Sequence, residues 1–355
     1  MSDAGNRKIK VLIVDDSPFM RMAIGRILDS ADNLQVVGTA RNGLEALDKI
    51  GELSPDVVTL DVEMPKMNGL DTLKAIMALP NPIPCLMVSS LTTEGAEITL
   101  SSLEEGAVDF ITKPSSMMGG DINRLQKDLV DKILVASRVS SVALKKRKAL
   151  TQQPKRPVER IPPIHNRGVE VVLIGISTGG PAALQRIIPL MPPDFPAGMV
   201  VAQHMPPGFT KSMADRLNIA SRVAVKEAEE GDIVIPGRVL IARSGMHLTF
   251  SEKYGQKVVH ITSKPAGEYY FPSVNVMFES AAEVYGGKAM PVVMTGMGND
   301  GAKGLGALKK RNAFSIAQSE DTCAVFGMPK VAIEQGLIDR IVSLDEMVHA
   351  IMEEL

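Results

Sequence analysis

A buried strand, a glycine-rich turn and a helix follow one another in the stretch VVLIGISTGGPAAL at residues 171–184. The apolar residues at its start fit the interior of a parallel sheet, and its glycines allow the chain to turn sharply on either side of Ser177. Gly-x-Ser-x-Gly between a strand and a helix is typical of a turn that presents a nucleophilic serine. Two other interpretations stay open at this point. One is a phosphate-binding loop, although the lysine of a P-loop is missing, and the other is a turn in which Ser177 only caps the helix.

The chain on the C-terminal side of this stretch continues the alternation of strands and helices. Helical periodicity is seen at residues 182–190 and 304–310. Short alternating strands and turn residues at 231–260 indicate a β-hairpin insertion. The remaining candidate strands are short and apolar, at residues 199–202, 239–242, 258–262, 291–295 and 314–317. Together they predict a doubly wound, mostly parallel α/β domain.

The N-terminal region has the same alternation. Candidate helices lie at residues 21–28, 43–49 and 70–79. The candidate strands between and around them lie at residues 11–14, 36–40, 57–60, 85–88 and 109–112. Strands that alternate with helices in this way predict a doubly wound, five-stranded parallel sheet.

A basic, proline-containing segment separates the two regions. Residues 138–167 hold nine Lys or Arg, one acid and four prolines, which is poor material for a core and typical of a spacer. We therefore predict a first domain at residues 8–130, a linker at 131–167 and a second domain at 168–352. The net charge of the chain is −2, so the +8 of the basic segment leaves −10 for the rest. Acidic folded parts argue against nucleic-acid binding.

Composition narrows the class of protein further. Of the 355 residues, 45% are apolar and 23% are charged, as in an ordinary globular protein. The apolar runs are too short to span a bilayer, and the first ten residues lack the apolar region of a signal peptide. Cys85 and Cys323 lie far apart and show neither disulfide-framework nor zinc-ligand spacing. We expect a cytoplasmic protein with no direct membrane insertion.

Acidic side chains follow two candidate strands of the first domain. Asp15 and Asp16 come directly after the first strand, and Asp61 comes directly after the third. The carboxyl ends of parallel strands meet at one edge of a sheet, and clustered carboxylates with open positions suit Mg²⁺. Ser89 and Lys113 follow two further strands and are expected at the same edge. This set predicts a phosphoryl-transfer site with Asp61 as nucleophile, although an aspartate alone is more often a cap or turn former.

A serine nucleophile needs a base, and the base needs an acid that orients it. His204 follows the strand at 199–202 and is therefore expected at the same sheet edge as Ser177. Asp300 lies in the glycine-rich loop that follows the strand at 291–295, which leads to this edge too. We predict the triad Ser177, His204 and Asp300, although a histidine after a strand is commonly structural. The chain order Ser, His, Asp differs from that of the α/β-hydrolases, so membership in that group is not expected.

The first domain resembles the receiver domain of two-component response regulators, which implies a flavodoxin-like fold for the five-stranded parallel sheet. The motifs that carry the resemblance are VDDS at 14–17, DVEMP at 61–65 followed by Asn68-Gly69, Ser89-Ser90, and FITKP at 110–114. The resemblance implies that Asp61 is the phosphoacceptor and that Glu63 supplies a main-chain carbonyl to an Mg²⁺ ion bound beside the aspartates. It also implies that Ser89 and Phe110 form the switch pair, with Lys113 on the phosphoryl group. Many relatives have Thr and Tyr at the switch positions.

The second domain resembles the catalytic domain of the chemotaxis protein-glutamate methylesterase (CheB) family. The motifs are GISTGGP at 175–181, QHM at 203–205 and TGMGNDG at 295–301. The resemblance implies that Ser177 is the nucleophile, His204 the base and Asp300 its orienting acid. It also implies that main-chain groups of Thr178 and Met297 bind the oxyanion and that the esterase step needs no cofactor.

Together the two resemblances imply a phosphorylation-activated esterase. Ser177 would attack a methylated glutamate on the cytoplasmic helices of a chemoreceptor, methanol would leave, and water would release the glutamate. Deamidation of receptor glutamines is the same acyl chemistry. The expected partners are methyl-accepting chemotaxis receptors and a chemotaxis histidine kinase that serves as phosphodonor. Two alternatives stay open: a response regulator whose second domain only binds a partner, and a hydrolase of small soluble esters.

Overall fold

The computed structural model describes residues 7–113, 120–141, 144, 167–263 and 270–355. The chain separates into two units, Met1–Gln153 and Pro154–Leu355, and each is described by itself. Most of the predicted linker at 131–167 lies outside the described residues. No helix in the described ranges is long and apolar enough to cross a bilayer.

The first unit contains the predicted five-stranded parallel sheet, in the order β2-β1-β3-β4-β5. Its strands are β1 (Ile9–Val14), β2 (Leu34–Ala40), β3 (Val57–Asp61), β4 (Cys85–Ser89) and β5 (Asp109–Thr112). Its helices are α1 (Pro18–Asp29), α2 (Gly43–Leu53), α3 (Gly69–Met77), α4 (Thr93–Glu105) and α5 (Gly120–Ala136). The prediction is confirmed for every strand. β1, β3, β4 and β5 are buried at most of their positions, whereas the edge strand β2 is buried only at Leu34 and Ala40. Helix α5 includes the first residues of the predicted linker.

Side-chain caps start the helices of this unit close to the ends of the preceding strands. Ser17 accepts a hydrogen bond from the backbone of Met20 at the start of α1. Asn42, Asn68 and Thr92 cap the next three helices in the same way. A capped start fixes the short loop between strand and helix. Asp15 and Asp16 lie in the loop after β1, and Asp61 and Ser89 are the last residues of β3 and β4, directly before such loops.

The second unit is built on a seven-stranded sheet in the order β14-β13-β12-β6-β7-β9-β8, in which every neighbouring pair is parallel. Its strands are β6 (Val171–Ile176), β7 (Gly198–Gln203), β8 (Ala224–Glu227), β9 (Arg238–Ile241), β12 (Ala289–Val293), β13 (Ile316–Gln318) and β14 (Arg340–Val342). Its helices are α6 (Gly180–Ile187), α7 (Phe209–Ala220), α8 (Val274–Val284), α9 (Ala302–Lys309), α10 (Met328–Glu334) and α11 (Met347–Glu353). Short 3₁₀ turns lie at Ile188–Leu190, Gly286–Lys288 and Glu320–Thr322.

The expected β-hairpin is present as a separate antiparallel pair, β10 (His247–Lys253) and β11 (Gln256–Thr262). Its buried residues, among them Leu248 and Val259, join the same apolar core as α8 and α9. The sequence analysis missed β8 and β14. Both are short edge strands that carry charged residues and are only partly buried, so they lack the apolar run that marks the central strands.

The order in which strands are added to the sheet reverses between β6 and β12. From β6 the sheet extends first through β7 to β8, and later from β12 through β13 to β14. Ligands of open parallel sheets bind outside the carboxyl ends of the strands at such a reversal. The loops that follow β6, β7 and β12 carry Ser177, His204 and Asp300, so the predicted triad lies at this switch point.

Candidate active site and phosphorylation site

The turn after β6 is packed closely against other segments. Only glycine fits at one position in this turn and at one position in the loop that contacts it. Gly179 has φ of 78°, and a Cβ atom there would lie 2.4 Å from the Cβ of Ala324. A Cβ atom on Gly296, in the loop after β12, would lie 2.7 Å from the Cβ of Ser177. The Ser177 N–H donates to the Thr295 carbonyl at 3.0 Å. The glycines therefore bring the loop after β12 directly against the predicted nucleophile.

His204 and Asp300 form the hydrogen bond that the triad requires. The Nε2 atom of His204 lies 2.8 Å from Oδ2 of Asp300, and both side chains are buried. An imidazole that donates from Nε2 to a carboxylate leaves Nδ1 unprotonated in its neutral form. Nδ1 is buried and has no hydrogen-bond partner among the described residues. Nδ1 is therefore the nitrogen that is free to take a proton.

Ser177 and His204 lie at the ends of neighbouring strands. Ile176 of β6 is paired with Gln203 of β7, and the His204 N–H donates to the Ile176 carbonyl at 3.0 Å. No hydrogen bond joins Ser177 Oγ to His204 in the part of the chain that the structure describes. Catalytic contacts are often long before substrate binds, so this placement is compatible with a serine–histidine pair.

Asp300 is held at the start of α8 by several donors. Besides His204, its carboxylate accepts hydrogen bonds from the Ser273 hydroxyl and the backbone N–H groups of Val274, Asn275 and Gly301. Burial alone would raise the pKa of Asp300, but the hydrogen bond and charge of His204 and the backbone N–H donors lower it below its usual range. Asp300 therefore stays ionised and can stabilise an imidazolium.

Several residues around this pair were not predicted from the sequence. The ring of Tyr270 stacks on His204 with centroids 4.1 Å apart and planes within 3° of parallel. The Ser273 N–H donates to Nδ1 of His247, the first residue of β10, at 3.3 Å. Asn275 accepts hydrogen bonds from Gly301 and Gly304 and so ties the Asp300 loop to α8. Only Ser273, a typical N-cap residue before an apolar helix, carries a signal that sequence reasoning could have used.

The predicted oxyanion groups lie on the two loops that meet at Ser177. Thr178 is buried, and its carbonyl accepts a hydrogen bond from the hydroxyl of Thr295. Met297 is half-buried and follows Gly296, the residue that touches Ser177. Both residues are thus placed beside the nucleophile.

The carboxylates of the first unit meet at the carboxyl edge of its sheet, as predicted. Oxygens of Asp15, Asp16 and Asp61 all lie within 4.8 Å of one another. Nζ of Lys113 lies 2.7 Å from Oδ2 of Asp61 and 3.1 Å from Oδ2 of Asp15. The Glu63 N–H lies 3.4 Å from Oδ1 of Asp61, while the Glu63 side chain is exposed.

Burial and neighbouring charges perturb the two central ionisable groups. Burial raises the pKa of Asp61 to about 6, and Asp15 adds to this, although Lys113 and the Glu63 N–H act in the opposite direction. Burial opposes the charge of Lys113, but its hydrogen bond and attraction to Asp61, together with Asp15, raise its pKa above the usual value. The cluster holds more negative charge than one ammonium balances.

The acidic cluster fits a divalent cation. Oδ2 of Asp15 is fully buried and has no hydrogen-bond donor among the described residues, although the Lys113 ammonium lies close to it. Oxygen ligands of this kind, with exposed Asp16 at the rim, are the donors that Mg²⁺ prefers.

The predicted switch residues are both buried. Ser89 Oγ lies 2.7 Å from Oγ1 of Thr99 on α4 and 3.2 Å from the Gly95 carbonyl. Phe110 is buried, and Nζ of Lys132 lies 5.5 Å from its ring centroid. In this structure the Ser89 hydroxyl is therefore bonded to α4.

Comparison with known proteins agrees with this geometry. The profile of the CheB methylesterase family matches residues 172–351, and that of the response regulator receiver domain matches residues 11–119. The chain belongs to the CheB methylesterase family.

The relatives of this CheB family member match it along nearly the whole chain. A protein-glutamate methylesterase/protein-glutamine glutaminase of Pyrococcus horikoshii is 44% identical over 347 residues, which cover 98% of this chain and 94% of the relative. The protein of the same name from Geobacillus kaustophilus is 45% identical over 352 residues, covering 98% and 99%. The crystal structure of the Thermotoga maritima CheB methylesterase catalytic domain is 42% identical with a TM-score of 0.52, and it covers 53% of this chain and 99% of that domain.

Proposed function

We propose that this CheB family member hydrolyses glutamate methyl esters on the cytoplasmic helices of methyl-accepting chemotaxis receptors and is activated by phosphorylation of Asp61. The observation that carries the proposal is the buried His204–Asp300 hydrogen bond at the sheet edge that bears Ser177. The names of the relatives add protein-glutamine glutaminase activity, which is the same acyl chemistry with ammonia as the leaving group.

The reaction begins when Ser177 Oγ attacks the γ-carbonyl carbon of the methylated glutamate. His204 takes the hydroxyl proton at Nδ1, and ionised Asp300 stabilises the imidazolium that results. The tetrahedral intermediate then expels methoxide, which receives the proton from His204 and leaves as methanol. A water molecule attacks the remaining acyl-serine with the same proton transfers, which releases the glutamate side chain and restores Ser177.

Backbone N–H groups of Thr178 and Met297 are the proposed donors to the oxyanion. They belong to two loops that approach so closely that Gly296 cannot carry a side chain. Donors that are held in place before the reaction stabilise the developing charge without rearrangement.

The first unit would receive a phosphoryl group on Asp61 from a chemotaxis histidine kinase. Asp15, Asp16 and Asp61, with the main-chain carbonyl of Glu63, are the residues that would hold Mg²⁺, which supplies positive charge beside the phosphoryl oxygens when bound. Lys113 would pair with the same oxygens. Phosphorylation then shifts the population toward the active form of the enzyme, with residues 131–167 as the proposed linker.

Methanol release from membranes that carry methylated receptors tests the proposal. We expect wild type to release methanol and a small-molecule phosphodonor with Mg²⁺ to raise the rate. Asp61→Asn should keep the basal rate without activation, and Ser177→Ala should be silent. A silent wild type whose Asp61 still takes up phosphate would instead favour a partner-binding second domain.

A further inference from the structure

The carbonyl groups behind the two proposed oxyanion donors are held by groups outside the triad. In a trans peptide the carbonyl of one residue and the N–H of the next lie in one plane and point in opposite directions. The direction of the Thr178 N–H is therefore set by whatever holds the Ser177 carbonyl. The direction of the Met297 N–H is set in the same way by whatever holds the Gly296 carbonyl.

A buried glutamine holds the Ser177 carbonyl. Gln203 is 1% exposed, and its Nε2 donates to the Ser177 carbonyl at 3.0 Å and to the His204 carbonyl at 2.9 Å. The N–H of Gly180 donates to the same Ser177 carbonyl at 2.8 Å. One amide group thus ties the backbone of the nucleophile to the backbone of the base.

Among the described residues, the donors to the other carbonyl, that of Gly296, are backbone groups alone. The N–H groups of Gly327 and Met328 donate to the Gly296 carbonyl at 3.1 and 2.9 Å. A Cβ atom on Gly327 would lie 2.6 Å from that carbonyl oxygen. The Thr178 peptide is therefore the one whose orientation depends on a side chain.

We propose that Gln203 is a positioning residue of the oxyanion hole. This role rests on the proposed function, because the N–H that Gln203 orients is the oxyanion donor of the proposed esterase reaction. Gln203 fixes the plane of the Ser177–Thr178 peptide so that the Thr178 N–H points at the oxyanion. Hydrogen bonds to the carbonyl also polarise the peptide and make its N–H a better donor.

The Gln203 side chain lies close against the backbone of Gly180. Its Oε1 has no hydrogen-bond partner among the described residues, and it lies 2.0 Å from the position that a Cβ atom on Gly180 would take. The side chain is thus pressed against the start of α6 with its amide nitrogen toward the two carbonyls. Methionine has a similar length and can fill this space, but it cannot donate.

The test compares Gln203→Met with a matched control, Ser315→Ala. Ser315 is buried at the start of β13, at the amino end of the sheet, where its hydroxyl bonds to Leu337 and Asp339. Its loss removes buried hydrogen bonds far from Ser177. Both variants are measured in the full chain with phosphodonor and Mg²⁺, using kcat and KM for methanol release and the thermal midpoint. Gln203→Leu, which lacks both the donor and any charge, is measured beside them in case Gln203→Met does not fold.

We expect kcat to fall about 10- to 100-fold in Gln203→Met while KM stays within about twofold, because the interaction is made in the transition state. This is less than the loss of a whole donor, since Gly180 still holds the carbonyl. A second readout is the ³¹P resonance of enzyme whose Ser177 carries an alkylphosphonyl group, because its phosphoryl oxygen occupies the oxyanion position. The resonance should move in Gln203→Met and stay in place in Ser315→Ala.

Equal kcat values for Gln203→Met and Ser315→Ala at similar thermal midpoints would overturn the inference, and so would a rise in KM with kcat unchanged. These outcomes leave the proposed function standing. If wild type releases no methanol and Ser177 does not react with the phosphonate, the proposed function fails, and the role of Gln203 fails with it.

Discussion

Replacing Asp61 with asparagine should make the receiver unit more stable at neutral pH when no divalent cation is present. Asp61 is 2% exposed and shares its site with the carboxylate of Asp15, so its own negative charge is unfavourable in the fold. Asparagine has the same shape and cannot ionise. The Asp61 charge thus lowers the stability of the fold that carries it.

The magnitude follows from the pKa of Asp61. Burial and Asp15 raise it from 3.8 to about 6, a value that already includes the attraction of Lys113. A difference of about 2 in pKa corresponds to about 3 kcal/mol when the group is fully ionised. This is an upper limit, because the asparagine amide brings a donor group that the site was not built for. We expect a gain of about 1 to 3 kcal/mol.

The stability gain of Asp61→Asn depends on pH, and the raised pKa of Asp61 determines the direction of this dependence. Between pH 3.8 and about 6 the folded receiver binds more protons than the unfolded chain, so wild-type stability falls as pH rises through this window. Above this pH window Asp61 is fully ionised, and its charge destabilises the fold to the full extent. The advantage of Asp61→Asn should therefore be greatest at pH 7.5 and shrink to about 1 kcal/mol or less at about pH 4.5.

Hydrogen–deuterium exchange of the full chain in EDTA measures this for the receiver alone. Peptides from β1 and β3 should exchange about 5- to 150-fold more slowly in Asp61→Asn at pH 7.5, while peptides from β6 should not change. Asp16→Asn, at the exposed member of the cluster, is the matched control and should stay within about twofold. Equal or faster exchange in Asp61→Asn at pH 7.5 would refute the reasoning.

Three further changes have defined outcomes in the methanol-release assay. Asp300→Asn should lower kcat by about 10³- to 10⁴-fold, because it removes the charge that orients and stabilises His204, and a loss below tenfold would contradict this. Tyr270→Leu should lower kcat by about tenfold through loss of the ring stacked on His204, whereas Tyr270→Phe should stay near wild type; equal losses in both would assign the effect to the hydroxyl. Thr99→Val removes one of the two α4 groups that bond the Ser89 hydroxyl, the other being the Gly95 carbonyl, so half-maximal activation should need about two- to fivefold less phosphodonor. An unchanged requirement would show that this bond does not oppose the switch.

The sequence predicted those strands that consist of continuous apolar residues. Strand β6 is buried at every position, and its hydrophobic run could be read without knowing its neighbours. Strands β8 and β14 could not be found in this way, because edge strands with charged residues are defined by pairing to distant chain segments. The hairpin was expected because turn residues mark it locally.

The site was predictable where topology alone brings residues together. Ser177, His204 and Asp300 each follow a strand of one parallel sheet, so the parallel direction of the strands was enough to place them at one edge. The contacts of Tyr270 and Gln203 depend on side-chain packing across segments that no spacing connects. The hydrogen-bond donors to Asp300 could not be predicted either, because they belong to α8, a helix that begins more than twenty residues earlier in the chain.

Trapping of the acyl-enzyme tests the central claim most directly. Methylated receptors are incubated with wild type or Ser177→Ala in the presence of hydroxylamine, and receptor peptides are analysed by mass spectrometry. The account predicts that wild type releases methanol and leaves γ-hydroxamates at the former ester positions, since hydroxylamine competes with water for the acyl group on Ser177, while Ser177→Ala gives neither product above the rate without enzyme. Methanol release by Ser177→Ala at the wild-type rate would contradict it.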